Sequence, residues 1–155
     1  MPHYGAYSKR NLATAHPDLQ VVFNEVIKDF DNTIIHGHRS VEYQFEIYQM
    51  GRTLVDGVWV ITDKSKVLTY LDGINKKSKH NYDPSMAIDA APYPIDWANK
   101  DRAIFFVGFV LGTASRLLAE GKITHKVVSG MDWDNDTDLD DQTFIDRPHF
   151  QLIKP

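Results

Sequence analysis

The sequence predicts a single α+β domain, and three observations carry that expectation. With 155 residues the chain has room for one hydrophobic core, since a second would take roughly 100 more. Two stretches repeat apolar residues at helical spacing, while shorter β-branched or alternating runs lie between and after them. Hydrophobic residues make up 43% and charged residues 25% of the chain, an ordinary balance for a folded domain without disordered or low-complexity segments.

Pro17 stands where a first helical turn tolerates it. Leu19, Val22, Phe23, Val26, Ile27 and Phe30 then recur at three-and-four spacing, which predicts an amphipathic helix of about 14 residues. Thr33-Ile34-Ile35 is short and β-branched, a buried strand ending at His36-Gly37-His38-Arg39. Ser40 caps the next helix, which runs to Gly51. From Arg52 to Lys79 the pattern is irregular, and we expect mobile loop there, with a small hairpin around Asp56-Gly57 and a turn at Asp72-Gly73. Met86 to Ala90 is a short apolar piece stopped by Pro92 and Pro94. A long helix follows from about Asn99 to Glu120, with Gly121 as its stop. Its stretch Ala103 to Gly112 is apolar throughout, but about ten such residues fall short of the roughly 20 that span a bilayer. We therefore expect a helix buried on most sides and no stable membrane insertion. Lys126-Val127-Val128 reads as a strand, an acidic stretch follows Gly130, and the alternating His149-Phe150-Gln151-Leu152 closes the chain as the last strand.

Charge and cysteine content exclude several functions. A formal net charge of −4 and scattered Lys and Arg leave no basic footprint for a phosphate backbone, so nucleic acid is not an expected partner. Without cysteine neither a disulfide framework nor a thiolate zinc site forms, and any metal must be held by His and carboxylates. The N-terminus has no charged region followed by an apolar one, so no secretory signal is expected and synthesis in a cytoplasm is. The composition is that of a chain that folds without a partner, and we expect a monomer.

Metal-competent residues concentrate in two segments about 60 residues apart: Ser78-Lys79-His80 running on to Ala87-Ile88-Asp89, and Asp146-Arg147-Pro148-His149. A catalytic zinc takes three protein ligands from His and carboxylate and keeps one position open for water, and His80, Asp89 and His149 supply that set. Asp146 is left over, a carboxylate of the kind a hydrolase needs beside an acidified water. No HExxH helix is present, and seven His include bystanders.

Ser78-x-His80, Ala87-x-Asp89 and Asp146-x-x-His149 together resemble the signature of the zinc D,D-carboxypeptidase and L-alanyl-D-glutamate peptidase family, peptidase family M15, and most closely its phage endolysin members. The likeness runs from Asn11-Leu12-Ala13-Thr14 through Gly37-His38-Arg39-Ser40, Ala90-Ala91-Pro92-Tyr93 and Asp132-Trp133 to the last strand. It implies His80, Asp89 and His149 as zinc ligands, Asp146 as general base, and Arg39 as the positive group near the reacting carbonyl. It also implies a Hedgehog/D,D-peptidase-like fold, a small, largely antiparallel sheet with packed helices whose strands present the ligands. The activity implied is hydrolysis of the L-alanyl-D-glutamate bond of the peptidoglycan stem peptide by a phage or prophage endolysin. Such an enzyme accumulates in the host cytoplasm and reaches the cell wall or periplasm through a lesion made by a separate holin. The runner-up is a D-alanyl-D-alanine carboxypeptidase or dipeptidase, and a noncatalytic wall-binding zinc domain is a third reading, against which Asp146 and Arg39 argue. Residues 1–155 then form one catalytic domain without a separate wall-binding domain.

Asp89 lies nine residues past His80 with Asn81-Tyr82-Asp83-Pro84-Ser85 in the gap, a longer loop than in many relatives, and Asp83 is the rival ligand. Asp89 is preferred because a strand fixes a carboxylate better than a loop does. Arg39 as a plain ion-pair partner is the alternative to its catalytic role. Alternation would put His36 and His38 on one face, lining the substrate. Ser78 either binds substrate or caps a turn, and Trp133 either lines the cleft or fills the core. His3, His16 and His125 are expected to face solvent. Asp134 to Asp141 is an insertion whose alternating Asp resemble the front of a calcium loop, but Gly and Glu are missing at the sixth and twelfth positions. A solvated loop is preferred over a calcium site.

Overall fold

The computed structural model describes residues 1–155. Its elements are α1 (Ala6–Ala13), α2 (Pro17–Val26), β1 (Asn32–His36), α3 (Val41–Tyr48), β2 (Arg52–Val55), β3 (Val58–Ile61), β4 (Ala87–Pro92), α4 (Lys100–Ala119), β5 (Lys126–Gly130) and β6 (Asp146–Ile153). Four strands form one antiparallel sheet in the order β1-β4-β6-β5, and β2 and β3 form a separate hairpin. The α+β class and the antiparallel sheet agree with expectation.

Helices α2 and α4 cover one face of the sheet. Leu19, Val22, Phe23 and Val26 meet Phe106, Val110, Ala114 and Leu117 over Ile34, Ile88, Phe150 and Leu152, all buried. The central strand β4 is buried along its whole length, and alternation divides its duties: Ile88 and Ala90 enter the core, while Asp89 faces the other side. The core thus fixes the backbone that carries the functional side chains.

Capping residues act where the sequence places them. Ser40 accepts from Tyr43 N, Asn99 accepts from Arg102 N, and Gly51, Gly57, Gly73 and Gly121 take positive φ at turns or helix ends. Helix α2 is shorter than its periodicity suggests. It ends at Val26, and Ile27 and Phe30 prolong the apolar stripe through turns whose amides bond back to Phe23 and Val26. Helix α4 is also less buried than expected. Phe106, Val107 and Val110 face the core, but Ile104 and Phe105 are exposed, the latter by 68%. By length and composition α4 qualifies as a membrane span, yet its buried face packs on the sheet.

Helix α1 carries little sequence signal, since only Ser8 and Leu12 are buried and no side chain caps its N-terminus. Its polar residues instead satisfy the free edge of β1. Tyr7 and Asn11 donate to the Ile35 carbonyl, Asn11 also to that of Ile34, and Ser8 accepts from Ile34 N.

Candidate metal centre and active site

Two strands and one turn bring the predicted ligands together. Asp89 on β4 stands directly across from His149 on β6 in the sheet register, so their side chains emerge side by side on the face away from the core. His80 arrives from a 3-10 turn, Lys79–Asn81, started by a capping box in which Ser78 accepts from His80 N and Asn81 accepts from Ser78 N. That turn is pinned to the end of β1, because Arg39 N donates to the His80 carbonyl at 2.8 Å and the Asn81 amide donates to Arg39 O at 3.0 Å. All three candidate ligands are buried.

Hydrogen bonds assign the tautomers. His80 Nδ1 lies 2.7 Å from the Gly37 carbonyl oxygen, which can only accept, so Nδ1 carries the proton and Nε2 presents a lone pair. His149 Nε2 donates to Gln151 Oε1 at 2.9 Å, leaving Nδ1 as its lone-pair nitrogen. Those two nitrogens are 3.3 Å apart, and Asp89 Oδ1 lies 3.2 Å from the first and 3.4 Å from the second. Three acceptors in mutual contact repel unless a cation or protons sit among them. A tetrahedral zinc with ligands at about 2.0–2.1 Å has edges of about 3.3–3.4 Å, so the triangle has the size of one face of that coordination shell. The donor set therefore fits a divalent metal.

A second layer holds these ligands. Gly37 supplies the carbonyl for His80, and Gln151 orients His149 from two residues along the same strand face. Asp89 Oδ2 pairs with the Arg39 guanidinium and lies 3.3 Å from His36 Nδ1. A Cβ on Gly37 would overlap the Asn11 carbonyl and the Thr14 hydroxyl, which is how α1 props the site from behind. Burial alone would raise the Asp89 carboxyl, but its close contacts with His80, His149 and His36 outweigh it and hold Asp89 well below the usual carboxylate range. Burial lowers His80, keeping it neutral as a ligand must be.

Asp146 does not belong to the ligand group. It lines the same cleft, opposite Gly130, where a Cβ would press on the Asp146 carbonyl. Burial, with the charge of Asp89 added, pushes its carboxyl up to about 6, against the opposing pull of His149 and Arg39. The cleft is walled by Tyr43, Tyr70, Trp97, Trp133 and Phe144.

The sequence matches the family model for phage L-alanyl-D-glutamate peptidases over residues 2–153. The chain belongs to that family. Its structure is similar to that of the Serratia marcescens L-Ala D-Glu endopeptidase ChiX, with a TM-score of 0.60 and 22% identity, covering 97% of this chain and 89% of the other. No curated protein matches.

Within this phage peptidase family member the remaining candidates separate. Ser78 caps the turn beneath His80 and also lines the cleft. Trp133 lines the cleft with its ring 5.0 Å from His149, anchored by Nε1 donating to Phe144 O. The expectation that His36 and His38 share a face does not hold. The strand ends at His36, so His36 lines the cleft while His38 is exposed outside it. Asp83 is exposed and outside the ligand group. His16 and His125 are not solvent-facing as expected: their rings stack edge-on at 4.8 Å around Asp18. Asp132, Asp134 and Asp136 gather within 4.8 Å of one another, and both Asp132 oxygens accept backbone N–H groups of their own loop, from Asp136 and Thr137. Sequence reasoning missed His36 as a partner of Asp89 and missed Gln151, whose only signal is its place two residues after a ligand.

Proposed function

We propose that the chain is a zinc-dependent endopeptidase that hydrolyses the L-alanyl-D-glutamate bond of the peptidoglycan stem peptide, serving a phage or prophage as an endolysin. Residues 1–155 act as the catalytic unit, a monomer made in the host cytoplasm that meets the wall after a separate holin opens the membrane. The observation that carries this reading is the triangle of His80 Nε2, His149 Nδ1 and Asp89 Oδ1, 3.2 to 3.4 Å on a side, with a raised carboxyl beside it in a chain of this family.

His80, Asp89 and His149 would hold the zinc. When bound it polarises the scissile carbonyl and acidifies a water. Asp146, with a carboxyl value of about 6, is ionised at neutral pH. Its carboxylate oxygen takes the proton of the attacking water and passes it to the leaving amide nitrogen. Arg39 fixes Asp89 through Oδ2 and lines the cleft, where its positive charge faces the carbonyl oxygen as charge develops there. Trp133, Tyr70 and Phe144 exclude water and hold the peptide backbone.

Mass spectrometry of purified peptidoglycan after digestion tests the bond. New N-terminal glutamate supports this reading, whereas free D-alanine as the only product transfers it to a D,D-carboxypeptidase.

A further inference from the structure

A second cavity adjoins the cleft, and Trp97, Asp146 and Pro148 line both. Its walls are Ile95, Trp97, Phe106 and Ile145, together with Arg102 and Arg147. Arg102 is engaged, because its guanidinium donates to the Pro94 and Tyr93 carbonyls and so fixes the segment bearing Ile95 and Trp97. Arg147 is different. It is half-buried, its Nε is buried and unbonded, and neither Asp96 nor Asp146, the carboxylates lining the same cavity, pairs with it. Leaving a permanently charged, partly desolvated guanidinium unpaired is costly, and a guanidinium fork takes a carboxylate through two parallel hydrogen bonds.

We propose that Arg147 binds the free carboxylate of the substrate's D-glutamate residue, making this cavity the subsite that selects an acidic residue at the cut. The inference rests on the bond assigned under Proposed function. A glutamate acylated on its nitrogen by alanine has two carboxyl groups and continues the peptide through one, so the other remains as a carboxylate beside the bond that breaks. Asp146, the proposed base, lines both this cavity and the cleft, and Arg147 lines the cavity, so the residue on one side of the scissile bond can extend from Asp146 toward the guanidinium. Ile95, Trp97 and Ile145 supply apolar surface for the glutamate methylenes. Arg147 would therefore set specificity by binding and take no proton.

The test uses the zinc-loaded enzyme and two synthetic stem peptides that differ only in whether the free glutamate carboxyl is a carboxylate or a carboxamide. Wild type should favour the carboxylate in kcat/KM by roughly 10- to 100-fold, the worth of a charge-assisted hydrogen-bond pair, with the difference lying in KM. Arg147→Gln, neutral and of similar length, should bring that ratio close to one, and Arg147→Lys should restore part of it. Thermal melting and zinc content measured on the same samples identify a variant that is merely misfolded. An unselective wild type, or an Arg147→Gln enzyme that keeps the full preference, overturns the proposal. If wild type cut neither peptide, the assigned bond would be wrong and the subsite would fall with it.

Discussion

The molecule contains two His-Asp-His clusters of the same composition, His80-Asp89-His149 and His16-Asp18-His125, each with its ligand atoms within 4.8 Å. They differ in where the protons are. In the second cluster, protons point at the acceptor atoms. His16 Nδ1 accepts from Asp18 N, and Asp18 Oδ2 accepts from Thr124 N and Oγ1 and from His125 N and Nδ1. That cluster ties the start of α2 to the segment before β5. In the first cluster outer partners take the ring N–H groups, so the inward atoms are three lone-pair bearers. Residue types alone do not make a metal site. Convergent acceptors whose protons point away do.

The largest expected effect tests that distinction. His149→Ala should lower bound zinc from about one per chain to near none and bring activity to background, while His125→Ala should change neither measurably. Metal analysis and turnover on the same samples decide it. Zinc lost from the His125 variant and kept by the His149 variant would reverse the two assignments.

Next comes the boundary between ligand and base inside the first cluster. Asp146→Asn keeps size and most hydrogen bonding but removes basicity, so the variant should retain its zinc and lose about 10²–10⁴ in rate. The wild-type profile carries the sign. Asp146 works deprotonated and its carboxyl sits at about 6 without a neighbouring ion. A bound cation moves that value lower, so activity should fall with acid at or below about pH 6, along a limb that the Asn variant lacks. A zinc-free Asp146→Asn protein would make Asp146 a ligand.

Arg39 pairs with Asp89 and also lines the cleft, so its position is compatible with both of the roles that the sequence leaves open. Arg39→Ala should weaken zinc binding by about 10- to 100-fold, as loss of an outer partner does. Whatever rate deficit persists at saturating zinc then measures its action on the carbonyl. Arg39→Lys should recover part of both. Unchanged zinc affinity in Arg39→Ala would leave the carbonyl role alone.

Individual strands, the long helix with its Asn99 and Gly121 boundaries, and the turn at Asp56-Gly57 were legible because each rests on local chemistry: periodicity, caps, and positive φ. The grouping of His80, Asp89 and His149 was legible because their three short motifs resemble a known family's signature. What the sequence left dark depends on contacts between distant segments. Helix α1 shows no clear amphipathic stripe because its work is hydrogen bonding to an edge strand. His38 parted from His36 because the chain leaves the strand at Gly37 to make room for Asn11 and Thr14. His16 and His125 are separated by over a hundred residues of chain, and no local pattern predicts their meeting.

The smallest expected effect belongs to the proton-bridged cluster. Burial would raise the Asp18 carboxyl, but hydrogen bonds from His125 and Thr124 outweigh it and leave it below its ordinary value. A carboxyl depressed by folding contributes stability that is fully present above its unfolded value, near 4, and is lost as pH falls through the folded value. Asp18→Asn should therefore cost about 1–3 kcal/mol near neutrality, the range for hydrogen bonds to a charged group, and lower Tm by a few degrees. Its deficit relative to wild type should stay constant from pH 8 to about 5 and shrink below about 4, while zinc content and turnover in folded protein stay the same. Denaturant titrations of both proteins across that range measure it. A deficit that persisted undiminished in acid would mean that Asp18 acts through packing, and a loss of zinc would mean that the two clusters are less different than their protons make them.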